Sequence, residues 1–156
     1  MNDKRKYLFW LIPAALVLLA ALFFLCPRRA DIILHLPESA DDIHGVYFQR
    51  TAPIPETREF FSQDYTLTAD RQPELMQAVC GWLYAARLRR PMPGGTLEDP
   101  GVVYILYAQP ADDTAAAALQ IAEDGRAVVN GVRYHLNRQD MDALNAIYEQ
   151  LNTVYD

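Results

Sequence analysis

Covalent hydrolysis needs a serine or cysteine nucleophile held beside a base, and this chain offers few. Ser39 and Ser62 are its two serines, and neither stands in the G-x-S-x-G setting that lifts a nucleophile onto a strand-to-helix elbow. Cys80 falls on the apolar stripe of an expected helix and reads as a buried structural thiol; Cys26 closes an apolar run. There is no H-E-x-x-H and no C-x-x-C, and Gly94-Gly95 has neither the lysine nor the helix start of a phosphate loop. His35 and His135 sit opposite the core-facing residues of their expected strands. With a carboxylate they could hold zinc if the strands were neighbours, but two half-exposed rings on a solvated face are the plainer reading. Asp41-Asp42, Asp112-Asp113 and Glu123-Asp124 fall in expected turns and lack the oxygen spacing of a calcium loop. The expectation is no catalytic residue, no metal and no cofactor.

The aromatic residues are more informative. Tyr47, Tyr104, Tyr107 and Tyr134 fall on expected strands, with Phe48, Phe60 and Phe61 nearby. In the run Val102 to Ala108, Val103, Ile105 and Tyr107 alternate with Val102, Tyr104 and Leu106, so both faces are apolar. Burial on both sides by helices and a long loop accounts for this. The functional reading is a tyrosine-bearing sheet face that binds a protein or peptide, with Tyr104, Arg133 and His135 as its candidates.

These residues must be positioned by a chain whose charge is split. Up to residue 29, Lys4, Arg5, Lys6, Arg28 and Arg29 oppose Asp3. Residues 30 to 156 hold nine arginines, no lysine and nineteen carboxylates, a net −10. An acidic domain of that size repels phosphate backbones, so nucleic acid is excluded as a partner.

Between the basic flanks, residues 7 to 26 carry no charge. Twenty helical residues rise about 30 Å, the thickness of a hydrocarbon core. Twelve of them are Leu, Ile, Val or Phe, and Tyr7 and Trp10 suit a headgroup boundary. Pro27-Arg28-Arg29 makes a poor cleavage site, and Leu25 before Cys26 is not the small residue a lipoprotein signal needs. The expectation is an uncleaved transmembrane helix at 7–26, after a cytoplasmic tail at 1–6. A linker at 27–30 leads to a domain at 31–156 outside the cytoplasm. Lys4, Arg5, Lys6 and the terminal amine outweigh Arg28 and Arg29, which sets that orientation.

Within the domain, Asp31 to Leu36 alternates as a strand, and Ile43 to Arg50 reads as a second. Thr51 to Arg58 reads as a loop and Glu59 to Thr68 as an extended return. Asp70 is the expected cap of a helix carrying Leu75, Met76, Val79, Cys80 and Leu83, with Arg87, Arg89 and Arg90 suited to its negative end. Val102 to Ala108 reads as a central strand. Ala115 to Ala122 reads as a strand ending at the turn signal Glu123-Asp124-Gly125. Asn130-Gly131 joins two further strands, Arg126 to Val129 and Val132 to Leu136. A last helix, capped by Asn137 with Asp140 three residues on, presents Met141, Leu144, Tyr148 and Leu151 as one stripe. The fold class is α+β: a two-layer domain, an antiparallel sheet with two helices packed on one face.

The run from Leu119 through Gly125 and Gly131 to Tyr134 resembles the tail of a group of small proteins of uncharacterised function, common in Gram-positive bacteria and held by an N-terminal membrane segment or lipid. The pattern covers residues 31 to 152, and Thr51 to Asp64 is an insert relative to its simplest form. The resemblance implies an accessory surface domain and carries no catalytic residues across. The functional expectation is a non-catalytic, membrane-anchored interaction domain, its partner an envelope or membrane protein. The alternative is a membrane-tethered envelope hydrolase working through carboxylates.

Overall fold

The computed structural model describes residues 3–57, 59–90, 97, 101–111 and 117–155. Helix α1 (Asp3–Leu25) is followed by strand β1 (Arg28–Arg29) and a short helix α2 (Ala30–Leu34). A 3-10 turn at Ala40–Asp42 leads into the hairpin β2 (Ile43–Pro53) and β3 (Phe60–Thr68). Helix α3 (Pro73–Ala85) and strand β4 (Arg87–Arg89) come next. Strands β5 (Val103–Pro110), β6 (Leu119–Ala122), β7 (Arg126–Val129) and β8 (Val132–Leu136) precede the final helix α4 (Arg138–Tyr155). The strands form one antiparallel sheet in the order β1-β4-β8-β7-β6-β5-β2-β3, with α3 and α4 against one face, an α+β domain.

Local chemistry explains most of this. Asn130 and Gly131 take φ of 50° and 74°, the left-handed pair that a two-residue hairpin with native twist demands. At Gly125, φ is 85° and an added Cβ would stand 3.0 Å from the Leu136 carbonyl, so both backbone angle and close approach require glycine. Asn137 Oδ1 accepts from the Asp140 amide at 2.8 Å, capping α4 as expected. Leu75, Met76, Val79, Cys80 and Leu83 on α3 and Met141, Leu144, Tyr148 and Leu151 on α4 are all buried. They pack on Val46, Phe48, Leu67, Leu106, Leu119 and Ile121 of the sheet, one continuous core. Trp82 Nε1 donates to the Asp140 carbonyl at 2.8 Å and fixes α3 against the start of α4.

Several expectations are corrected. Asp31 to Leu36 is not a strand. Ala30 and Leu34, four residues apart, are both buried, while Ile32 is 62% exposed, so it is the helical spacing that meets the core. Arg28 and Arg29, within the expected linker, form β1 and pair with β4. Gln72, not Asp70, precedes α3, with Pro73 in its first turn. Arg87 and Arg89 do not extend α3; they flank buried Leu88 in β4, the alternation of a strand. Strand β2 runs on to Pro53, into the expected loop. The expectations for Gly94-Gly95, Asp112-Asp113 and the start of the Ala115 to Ala122 strand lie outside the described residues.

The side chains of α1 are described from Trp10 to Phe23, a stretch shorter than the roughly 20 residues of a span. Among the described residues no helix is long and apolar enough to cross a membrane.

Candidate functional site

Strand alternation gives the sheet two unlike faces. The face turned from α3 and α4 has no described helix over it. Register places Thr66, Tyr47 and Tyr107 in one row across β3, β2 and β5. The next row runs Asp64, Gln49, Ile105, Gln120, Val128 and Arg133, from β3 to β8. His135 faces the same way, between Arg126 on β7 and Arg89 on β4. Tyr107 is 37% exposed, His135 is exposed, and Tyr47 and Arg133 are half-buried.

The β2–β3 part of this face is a hydrogen-bonded patch. Gln49 Nε2 donates to Ser62 Oγ at 2.9 Å, and Ser62 Oγ donates to Asp64 Oδ1 at 3.1 Å. Desolvation acts to raise the Asp64 carboxyl, but donors from Tyr47, Gln49 and Ser62 outweigh it and hold the group below its ordinary value. Desolvation and the hydrogen bond to Asp64 raise the Tyr47 phenol. An ionised carboxylate ringed by donors suits recognition of a cation or an amide. It is the reverse of a general acid, which needs its carboxyl raised. Ser62 is not paired with His135, which stands five strand spacings away, on the order of 24 Å.

Tyr104 is not on this face. It is 5% exposed on the helix-covered side, and its hydroxyl donates to Asn145 Oδ1 of α4 at 2.8 Å. The reason is parity: Tyr104 shares its face with Leu106 and Ala108, which are buried under the helices, and Tyr107 takes the opposite side. Burial raises the Tyr104 phenol, and the neighbouring Arg50 offsets part of that rise. Tyr134 also faces the core, packed against it and half-buried.

Around Tyr104 lies a polar and aromatic cluster that the sequence reading missed. The Arg50 guanidinium carbon stands 4.8 Å from the centre of the Tyr148 ring, and the Tyr148 hydroxyl donates to Gln63 Oε1. Gln63 Nε2 and the Tyr65 hydroxyl both donate to Asn152 Oδ1, at 2.9 and 3.3 Å. These bonds fasten the C-terminal half of α4 to β2 and β3. The available signal was the alternation Val46, Phe48, Arg50, which puts an arginine in a core-facing place.

The remaining candidates do not assemble. His35 ends α2 in the left-handed region, φ 56°, so the two histidines do not share a strand face. Among the described residues no three His, Cys, Asp or Glu side chains are grouped to hold a metal. Burial pushes the Cys80 thiol up to about 11, away from nucleophilic use. No family model, curated protein or solved structure matches the chain.

Proposed function

We propose that the chain is a single-pass membrane protein, anchored through residues 7–26 with its N-terminus in the cytoplasm. Its α+β domain then works outside as a non-catalytic module that engages an envelope or membrane protein. One observation carries the anchor. From Trp10 to Ala20 every side chain of α1 is exposed, on all sides of the helix: Trp10 is 77% exposed, Leu16 62% and Val17 69%. A helix apolar all round belongs in a protein core or a bilayer, and among the described residues no core forms around this stretch. The uncharged sequence continues to Tyr7 and Cys26, which supplies the length of a span. Lys4, Arg5 and Lys6 before it favour the stated orientation.

The helix-free sheet face is the candidate docking surface, with Tyr47 and Tyr107 at one side and Arg133 and His135 at the other. Aromatic and arginine side chains of this kind dominate interface energetics. The resemblance of the Leu119 to Tyr134 run to small anchored surface proteins accords with this reading. The chain should remain in membranes through a carbonate wash, and protease added outside intact cells stripped of their wall should digest the domain. Release by carbonate, or an N-terminus beginning near residue 30, refutes the anchor; protection from outside protease refutes the orientation.

A further inference from the structure

Five of the eleven arginines from residue 28 onward gather at one edge. Arg28 and Arg29 form β1, Arg87 and Arg89 flank Leu88 in β4, and Arg90 follows; all five are exposed. β1 is the terminal strand, pairing Arg28 with Leu88 and Arg29 with Arg87, so four of the five lie on two adjacent strands about 5 Å apart and Arg90 lies just beyond β4. Among the described residues, Asp31 binds Arg29 at 2.7 Å and Asp140 accepts the Arg87 backbone N–H at 2.9 Å. Arg89 and Arg90 make further contacts of their own. Positive charge here runs against the net −10 of residues 30 to 156.

This edge is also where the chain leaves α1. Cys26 and Pro27 alone separate α1 from β1. The Arg28 guanidinium carbon lies 4.4 Å from the centre of the Phe23 ring on α1. Phe23, Cys26, Arg28, Leu88, Arg90 and Tyr134 line a cleft of about 30 Å³ at that junction. Two guanidinium groups therefore converge beside a tyrosine at the level where the chain leaves its apolar helix, the depth at which tyrosine favours a lipid headgroup.

Resting on the anchor reading above, we propose that this edge binds the phosphates of anionic phospholipids in the membrane that holds α1, through Arg28, Arg87 and Arg90. Guanidinium forks match phosphate oxygens in pairs. The acidic remainder of the domain is repelled by the same surface, so the sheet stands on its β1 edge. Strand β3 is then the far edge, seven strand spacings or about 34 Å from β1.

The test uses the full chain in nanodiscs of phosphatidylcholine, and in discs with a third of that lipid replaced by phosphatidylglycerol. Amide hydrogen exchange at residues 87–90 should be at least about fivefold slower in the anionic discs, the weight of one basic residue at such a surface. High salt should abolish the difference, as should the double substitution Arg87→Gln, Arg90→Gln. Arg71→Gln, between β3 and α3, should leave it intact. Equal exchange in the two discs, with the chain retained in both, overturns the proposal and leaves the anchor standing. A chain that does not stay in the discs removes the anchor and this proposal together. Equal slowing by inorganic phosphate in neutral discs overturns the lipid assignment. If the double variant fails to fold, the lipid and salt comparisons on the unaltered chain decide.

Discussion

The hydroxyl of Tyr104 donates to Asn145 Oδ1 at 2.8 Å and ties strand β5 to helix α4. This bond crosses from sheet to helix layer, so Tyr104 belongs to the machinery that holds the two layers together. Replacing it with phenylalanine leaves a partly buried amide oxygen without its donor. Tyr104→Phe should lower stability by about 1–2 kcal/mol in a urea titration. Partner capture by the folded variant should be unchanged; a loss of capture would return Tyr104 to the binding surface.

The helix-free face makes the complementary prediction. Tyr107→Ala together with Arg133→Ala should weaken capture of a membrane partner at least about thirtyfold, the cost of truncating one central interface residue. Titration of the anchored protein against that partner reads the change. Undiminished affinity in a folded double variant removes this face as the site.

Leu144 is fully buried at the middle of the α4 stripe. Leu144→Ala should cost about 2–5 kcal/mol through lost transfer energy and the cavity left behind. A measured loss below about 1 kcal/mol would mean that α4 is not packed on the sheet as described.

Asn137 and Asp140 share two bonds: the Asp140 amide reaches Asn137 Oδ1 at 2.8 Å, and Asn137 Nδ2 reaches Asp140 Oδ2 at 3.0 Å. Asn137→Ala removes both and should destabilise the domain by about 1 kcal/mol. Because Asp140 also accepts from the Arg87 amide, amide exchange at Arg87 should quicken in the same variant. An unmoved exchange rate would show that Asp140 is held without its cap.

Cys80 sets a pH dependence. Its thiol rises from 9.0 to about 11 on burial. The folded state keeps a proton that the unfolded chain releases, so this stabilisation is present at neutral pH and disappears between about 9 and 11. At pH 8, iodoacetamide should alkylate exposed Cys26 quickly and Cys80 only after unfolding. Equal labelling of both thiols in the folded chain would contradict the burial of Cys80.

At one hairpin turn and one helix cap the sequence reading and the fold agree in detail, although the expected cap of α3 at Asp70 falls at Gln72 instead. Asn130-Gly131 closes its hairpin because only two left-handed residues fit there, and Asn137 caps α4 because its side chain reaches an amide three residues on. The stripes of α3 and α4 follow from the helical period alone. Alternation also puts Tyr104 and Tyr107 on opposite faces.

It does not say which face the helices cover, since β5 is apolar on both. That was decided by the packing of α4, more than thirty residues later in the chain. Ala30 to Leu34 carries both a two-residue and a four-residue apolar spacing, and the four-residue one meets the core, where Ala30 and Leu34 are buried. Arg28 and Arg29 lie almost sixty residues from Arg87 and Arg89. Composition recorded only an acidic chain; the pairing of β1 with β4 collects these arginines into one edge beside α1. Local periods and caps act over a few bonds and can be read along the chain. Which face is covered and which charges become neighbours depend on contacts between distant segments, and those exist only once the sheet has closed.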